Sequence, residues 1–155
     1  MRADEAQRFL LVHHEAVRGI AAKDYAREIV DEWAPMPISP EAVDRVIANP
    51  EHEVRIVAEI GGEIAGIAVV VPDRNELRAC YVMPKVARRG VGTALVSRLE
   101  EIAKLRGVKY LELESSITAE HFYAALGYKT LEHGEHVMST GGRMACVKMR
   151  KKISD

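Results

Sequence analysis

The chain is short of several things, and each shortage narrows what it can be. It has two cysteines in 155 residues, Cys80 and Cys146, each in an apolar, strand-like stretch and neither in a Cys-x-x-Cys spacing. That argues against a disulfide framework and for buried, reduced thiols. It has almost no net charge, since 22 basic and 23 acidic residues leave −1. No general field therefore draws it to nucleic acid or to an anionic membrane, and neither is expected as a partner. No apolar run is long enough to span a bilayer, and the N-terminus lacks the apolar stretch of a signal peptide, so the expected compartment is the cytoplasm. Internal repeats, low-complexity tracts and long linkers are missing too. At 48% hydrophobic residues, the length and composition fit one domain over residues 1–155 with one core.

The pattern then runs from helical to strand-like. Ala6 to Ala22 carries Phe9, Leu10, Ala16, Val17 and Ile20 in an irregular helical stripe. Asp24 is placed to cap a second short helix through Trp33, with Tyr25, Ile29 and Val30 inward. Pro35, Pro37 and Pro40 break the chain, and Ser39-Pro40-Glu41 reads as the start of a helix that runs to about Asn49-Pro50. Arg55–Ile60 and Ile64–Val71 flank Gly61-Gly62-Glu63 as an antiparallel hairpin. After the turn Pro72–Asn75, Glu76–Met83 is the next strand. Val91, Ala94, Leu95, Leu99, Ile102 and Leu105 line one face of a helix ending at Gly107. Val108–Glu114 alternates as a strand, Ala119–Leu126 is a short helix, and Tyr128–Ile153 holds two strands around Ser139-Thr140-Gly141-Gly142. This order predicts an α/β (α+β) fold: a mixed sheet with helices on both faces.

The most informative stretch is Pro84-Lys85-Val86-Ala87-Arg88-Arg89-Gly90-Val91-Gly92-Thr93-Ala94-Leu95. A strand leads into it and an amphipathic helix leaves it. A glycine-rich turn that opens a helix presents free N–H groups and the positive end of the helix dipole. Arg88 and Arg89 add fixed positive charge, and the glycines let a phosphate approach the backbone. The expected ligand is phosphorylated.

Two motifs carry a resemblance. Tyr81-Val82-x-Pro84 followed by Arg88-Arg89-Gly90-Val91-Gly92-Thr93-Ala94-Leu95 resembles the acyl-CoA motif of the GCN5-related N-acetyltransferases. Ser116-x-x-Ala119-x-x-Phe122-Tyr123-x-x-Leu126-Gly127-Tyr128 resembles that family's second signature, and Val147–Lys151 looks like its last strand. Aligned on Gly90 and Gly92, the family's usual Gln or Arg is Ala87; the register Arg89-x-x-Gly92-x-Ala94 also fits the letters, but only the first keeps Pro84 at its usual distance. The usual Asn is Ser116, and the helical pattern starting near Asp4 leaves little room for the family's first strand. The resemblance implies a mostly antiparallel, twisted sheet that splays between two central parallel strands.

It also implies a chemistry: an amine attacks the thioester of acetyl-CoA directly. The amides of Val91, Gly92 and Thr93, with Gly90, Arg88 and Arg89, would hold the pyrophosphate. Main-chain groups of Tyr81, Val82 and Met83 would meet pantetheine and the thioester oxygen, with Ser116 on the opposite strand. Tyr123 occupies the position of the general acid for the departing thiolate; its plainer reading is a core aromatic. Glu76 is the candidate base; its plainer reading is a solvated strand-end acid beside Arg74 and Arg78. The first-choice acceptor is a small-molecule amine, with a peptide or protein amine second, and a non-catalytic acyl-CoA-binding module is the reading from another class. A homodimer is compatible with the family, although no residue locates an interface.

Other signals are weaker. A dinucleotide site would need a third glycine where Leu95 stands, and no Gly-Lys-Ser/Thr follows for a P-loop. His133-Gly134-Glu135-His136 puts His133 and Glu135 on one face of an extended segment and His136 on the other, which does not suit zinc. His13, His14 and Trp33 fall on the helices that cover the acceptor in the family, and the Trp33–Pro40 segment and the Ser139–Gly142 loop are expected to shape its mouth.

Overall fold

The computed structural model describes all 155 residues. Its first element is a helix, α1 (Ala3–Gly19), in keeping with the helical pattern that starts near Asp4. Asp4 and Glu5 favour the positive end of that helix, and the Glu5 carboxylate accepts the Arg2 N–H at 2.8 Å. Phe9, Val12, Ala16 and Val17 form its buried stripe. Two short helices follow, α2 (Arg27–Trp33) and α3 (Pro40–Ala48). Ser39 caps α3 as its sequence implies, its hydroxyl accepting the Ala42 N–H at 3.2 Å ahead of Pro40. Asp24 does not cap α2, which starts at Arg27 behind Ala26; its carboxylate instead accepts the Thr118 hydroxyl at 2.7 Å. A partner 94 residues away outcompeted the local cap.

Six strands form one sheet: β1 (Val54–Ile60), β2 (Glu63–Val71), β3 (Glu76–Val82), β4 (Tyr110–Ser116), β5 (Lys129–Val137) and β6 (Arg143–Lys152), in the order β1-β2-β3-β4-β6-β5. Gly61 and Gly62, both at positive φ, make the two-residue turn of the β1–β2 hairpin. All neighbouring pairs are antiparallel except β3 and β4. That parallel pair is in register only at Glu76 and Glu112, and beyond it the two strands part. The sheet is therefore split at its centre.

Helix α4 (Val91–Leu105) crosses between β3 and β4, and α5 (Glu120–Ala125) follows β4. Leu95, Val96, Leu99 and Ala103 of α4 are buried; Leu105 is 85% exposed, so the apolar face lies toward Val96 and away from the helix end. With Leu77, Leu111, Leu113, Tyr123, Tyr128, Val147 and Met149 they make the main core on one face of the sheet. Phe9, Val12, Ile67 and Val69, then Val17, Val30 and Ala34, fill two smaller cores under α1 and α2. Both faces of the β1–β3 half are covered. On β6, Lys148, Arg150 and Lys151 pair with Glu132, Glu112 and Glu100. No helix is long and apolar enough to cross a membrane.

Candidate active site

The gap between β3 and β4 opens into a cleft of about 1010 Å³. Its mouth on one side is the start of α4. Gly90, at φ 82°, precedes the helix, no side chain caps it, and its first turn holds no acid. The first main-chain N–H to be used is that of Ala94, which donates to Gly90 O at 3.0 Å. The N–H groups of Val91, Gly92 and Thr93 thus face the opening without helical partners, a ready anion site. Arg88 lines the same cleft. Arg89 does not: it lines a separate shallow groove with Val57, Ala94 and Arg98 between β1 and α4. Arg88 sits at φ 64°, and this left-handed turn sends the two adjacent side chains apart.

Strand alternation decides which main-chain groups of β3 meet the cleft. The Met83 N–H donates to Ala65 O at 2.8 Å, so Met83 and Tyr81 direct their main-chain groups toward β2. Those of Val82 and Cys80 point into the split, where β4 has moved out of reach. Of Tyr81, Val82 and Met83, Val82 therefore offers the free backbone; Tyr81 contributes its ring to the lining, and Met83 is not part of it.

Tyr123 lies at the floor of the cleft and is 6% exposed. Its ring meets Phe122 at 5.0 Å and Tyr128 at 5.8 Å, both edge-on. Burial holds its phenol well above the usual tyrosine range, so it stays protonated. Cys80, in the same cleft, shows the matching effect on sulfur: burial pushes its thiol up to about 12. Phe122 packs on Gly92, tying α5 to the glycine turn. Ser116 lines the cleft, and its hydroxyl accepts the Ala119 N–H at 3.2 Å, fixing the turn into α5.

Glu76 lines the cleft, but both its oxygens accept from Arg78, at 3.1 and 2.9 Å. Arg78 also binds Glu53 at 2.9 Å and contacts Glu51, and these carboxylates hold its guanidinium well above its ordinary pKa. Glu76 belongs to an ion-pair network that fixes the start of the split.

Other sequence candidates separate in space. Trp33 lines the cleft, whereas the rest of the Trp33–Pro40 segment and the Ser139–Gly142 loop do not; that loop packs its Gly142 against the Glu32 carboxylate instead. His13 lies behind the lining, its ring 4.6 Å from that of Tyr81, and burial pulls its pKa down to about 4. His133 pairs with Glu120 at 3.1 Å and His136 with Glu114 at 3.3 Å.

Sequence reading missed a row of aromatics. Tyr25 donates to Ala145 O at 2.7 Å on β6 and accepts the Ile117 N–H at 2.8 Å just past β4. Its ring meets Trp33 at 5.7 Å, and Trp33 meets Tyr81 on β3 at 6.5 Å. The row begins on β6 and ends on β3, so it roofs the split from the α1 side. No local signal marks it, because its successive members are 8 and 48 residues apart and meet only in the fold.

A sheet split between two parallel strands, with an uncapped, glycine-led helix at the mouth of the split, defines an acyl-CoA-type transferase fold. The family model described as acetyltransferase (GNAT) domain matches residues 21–153. The chain belongs to this GNAT family. Among solved structures, it is similar to the GCN5-related N-acetyltransferase (aminotransferase, class-II) of Rhodopseudomonas palustris, with 24% identity, TM-score 0.87, and coverage of 98% of this chain and 92% of that one. It is also similar to the PaiA N-acetyltransferase of Thermoplasma acidophilum in complex with coenzyme A, with 18% identity, TM-score 0.74, and coverage of 98% and 95%. A third is the ribosomal-protein-S18-alanine N-acetyltransferase of Escherichia coli, with 20% identity, TM-score 0.68, and coverage of 100% and 92%. At these identities the likeness is one of fold.

Proposed function

We propose that this protein transfers the acetyl group of acetyl-CoA to a primary amine of a small molecule, by direct attack in a ternary complex. The observation that carries the reading is the uncapped start of α4 opening onto the same cleft as Tyr123. The residues present fit acetyl-CoA: free amides at Val91–Thr93 and the Arg88 guanidinium suit its pyrophosphate, and the parted strands leave backbone at Val82 for its pantetheine amides. The Ser116 hydroxyl keeps its own proton to donate from the opposite strand. Arg89, in the neighbouring groove, adds positive charge outside the cleft.

Transfer then needs a neutral amine and a proton for sulfur. The nitrogen lone pair forms the C–N bond, the C–S bond breaks, and the Tyr123 phenol protonates the sulfur. Tyr123 recovers its proton as the new amide nitrogen sheds one. Glu76, held by Arg78 through both oxygens, is assigned to fixing the paired end from which the strands part, rather than to accepting that proton.

A small acceptor is favoured over a polypeptide because the α1–α2 connection is tied down over the end of β4. Tyr25 and Asp24 bind Ala145, Ile117 and Thr118 there, so the acceptor side of the split is roofed rather than open along its length. The test is calorimetric titration with acetyl-CoA, followed by free-thiol release against a panel of small amines. Micromolar binding and amine-dependent release support the transferase. Binding with release no faster than hydrolysis, for small amines and peptides alike, would instead support a non-catalytic acyl-CoA-binding module.

A further inference from the structure

Glu114 is an acid that the transfer scheme leaves unused. Tyr110, Glu112, Glu114 and Ser116 share the face of β4 turned away from the main core, while Leu111, Leu113 and Ser115 are buried. Three carboxylates line the cleft: Glu76, Glu112 and Glu114. Arg78 holds the first and Arg150 the second, the latter through Nε at 2.9 Å. Glu114 has no such cation. Its partner is the imidazole of His136, with Nδ1 3.3 Å from Oε2, and both side chains are about half exposed. Lys148 stands opposite Glu114 in the β4–β6 register but directs its ammonium to Glu132, at 3.5 Å.

The surroundings reinforce a negative bias. On β5 lie Glu132, Glu135 and His136, on β6 Cys146, Lys148 and Arg150, and across the split Arg78, which is spent on Glu51, Glu53 and Glu76. Cys146, opposite Ser116 in register, senses the balance: beyond its burial, Glu114 raises its thiol more than Lys148 lowers it. Trp33 and Tyr81, two members of the Tyr25–Trp33–Tyr81 row, line the same cleft as Glu114. Aromatic rings and a carboxylate without a fixed cation in one cleft attract one kind of ligand, an organic cation.

Resting on the transferase reading, we infer that the acceptor enters as an aliphatic ammonium seated between Trp33–Tyr81 and Glu114, and that Glu114 takes its proton and passes it to His136. An N–H bond of the ammonium breaks, its electron pair stays on nitrogen, and the proton moves to a Glu114 oxygen. His136 receives it at Nδ1 and, being half exposed, releases a proton to water. The freed lone pair then attacks the thioester as described above, and the second proton leaving nitrogen replaces the one Tyr123 gave to sulfur. An aromatic amine is already neutral at pH 7 and needs neither the seat nor the base.

The test is free-thiol release with n-butylamine, 2-phenylethylamine and aniline, in wild type, Glu114→Gln, His136→Gln and Tyr123→Phe. The Glu114→Gln variant is expected to lose about a hundredfold in kcat/KM for both alkylamines, with acetyl-CoA affinity unchanged. Its rate should recover as pH rises toward the amine's own pKa, a rescue that a purely structural defect would not show. His136→Gln should lose less, since water can take its place. Alkylamine kcat/KM unchanged in Glu114→Gln but impaired in Tyr123→Phe would overturn the Glu114 assignment and leave the transferase standing. Preference for aniline over the alkylamines would overturn the acceptor class. No amine-dependent release in wild type would overturn the transferase reading and this assignment with it.

Discussion

Gly92, in the first turn of α4, packs so closely on Phe122 of α5 that a methyl group at position 92 would stand 3.0 Å from Phe122 Cζ and 3.1 Å from Cε1. The turn suited to phosphate and the helix bearing Tyr123 are thereby one rigid unit. Gly92→Ala should push Phe122 away, lowering stability by about 1–3 kcal/mol and weakening acetyl-CoA binding together. Gly90→Ala differs, because open space surrounds its missing methyl and the penalty is the φ of 82° alone, roughly 1–2 kcal/mol. Urea unfolding of both variants, with and without acetyl-CoA, separates the two causes: only Gly92→Ala should shift the Phe122 ring signals in NMR spectra of Phe-labelled protein.

Tyr25 fixes the roof of the cleft through two bonds of one hydroxyl. Tyr25→Phe leaves the Ala145 carbonyl and the Ile117 amide without that partner, and it should cost roughly 1–2 kcal/mol of stability. The roof would loosen on the acceptor side only. Steady-state kinetics should show a several-fold rise in KM for the amine while the KM for acetyl-CoA stays within twofold.

His13 makes stability depend on pH. Burial, with His14 nearby, takes its pKa from 6.5 down to about 4. Between those values the unfolded chain binds more protons than the folded one, so stability rises with pH. The contribution is fully present above pH 6.5 and is lost as pH falls through 4. Its size is on the order of 3 kcal/mol. Chemical unfolding at pH 7 and pH 4 should show wild type losing about that much more than His13→Gln over the same interval; equal losses would show that His13 is not held neutral.

Much of the fold could be read from the chain because its signals are local. The Gly61-Gly62 turn between alternating strands, the Ser39-Pro40 helix start and the Gly90-x-Gly92 opening of α4 all appear where their short-range chemistry puts them. The spacing from Ser116 to Tyr128 likewise brought Tyr123 to the cleft. What escaped depended on distant partners. Asp24 looks like a cap until Thr118 arrives, and the neighbourhood of Arg78 is legible beside Glu76, but Glu51 and Glu53, which join them in one network, are not. Arg88 and Arg89 read as one positive patch, but a backbone turn parts them. Glu114 has the alternation of any solvated strand acid; only the arginines that hold Glu76 and Glu112, and not Glu114, set it apart.

The central claim is that the cleft performs amine acetylation with Tyr123 as the acid for sulfur. The most direct measurement is pre-steady-state release of free thiol from acetyl-CoA at saturating alkylamine, in wild type and Tyr123→Phe, alongside the Kd for acetyl-CoA. The expected result is a drop in the transfer rate of about a hundredfold or more with Kd unchanged, since the phenol acts only as the C–S bond breaks. An unchanged transfer rate in Tyr123→Phe, in a variant that binds acetyl-CoA as wild type does, would contradict the account.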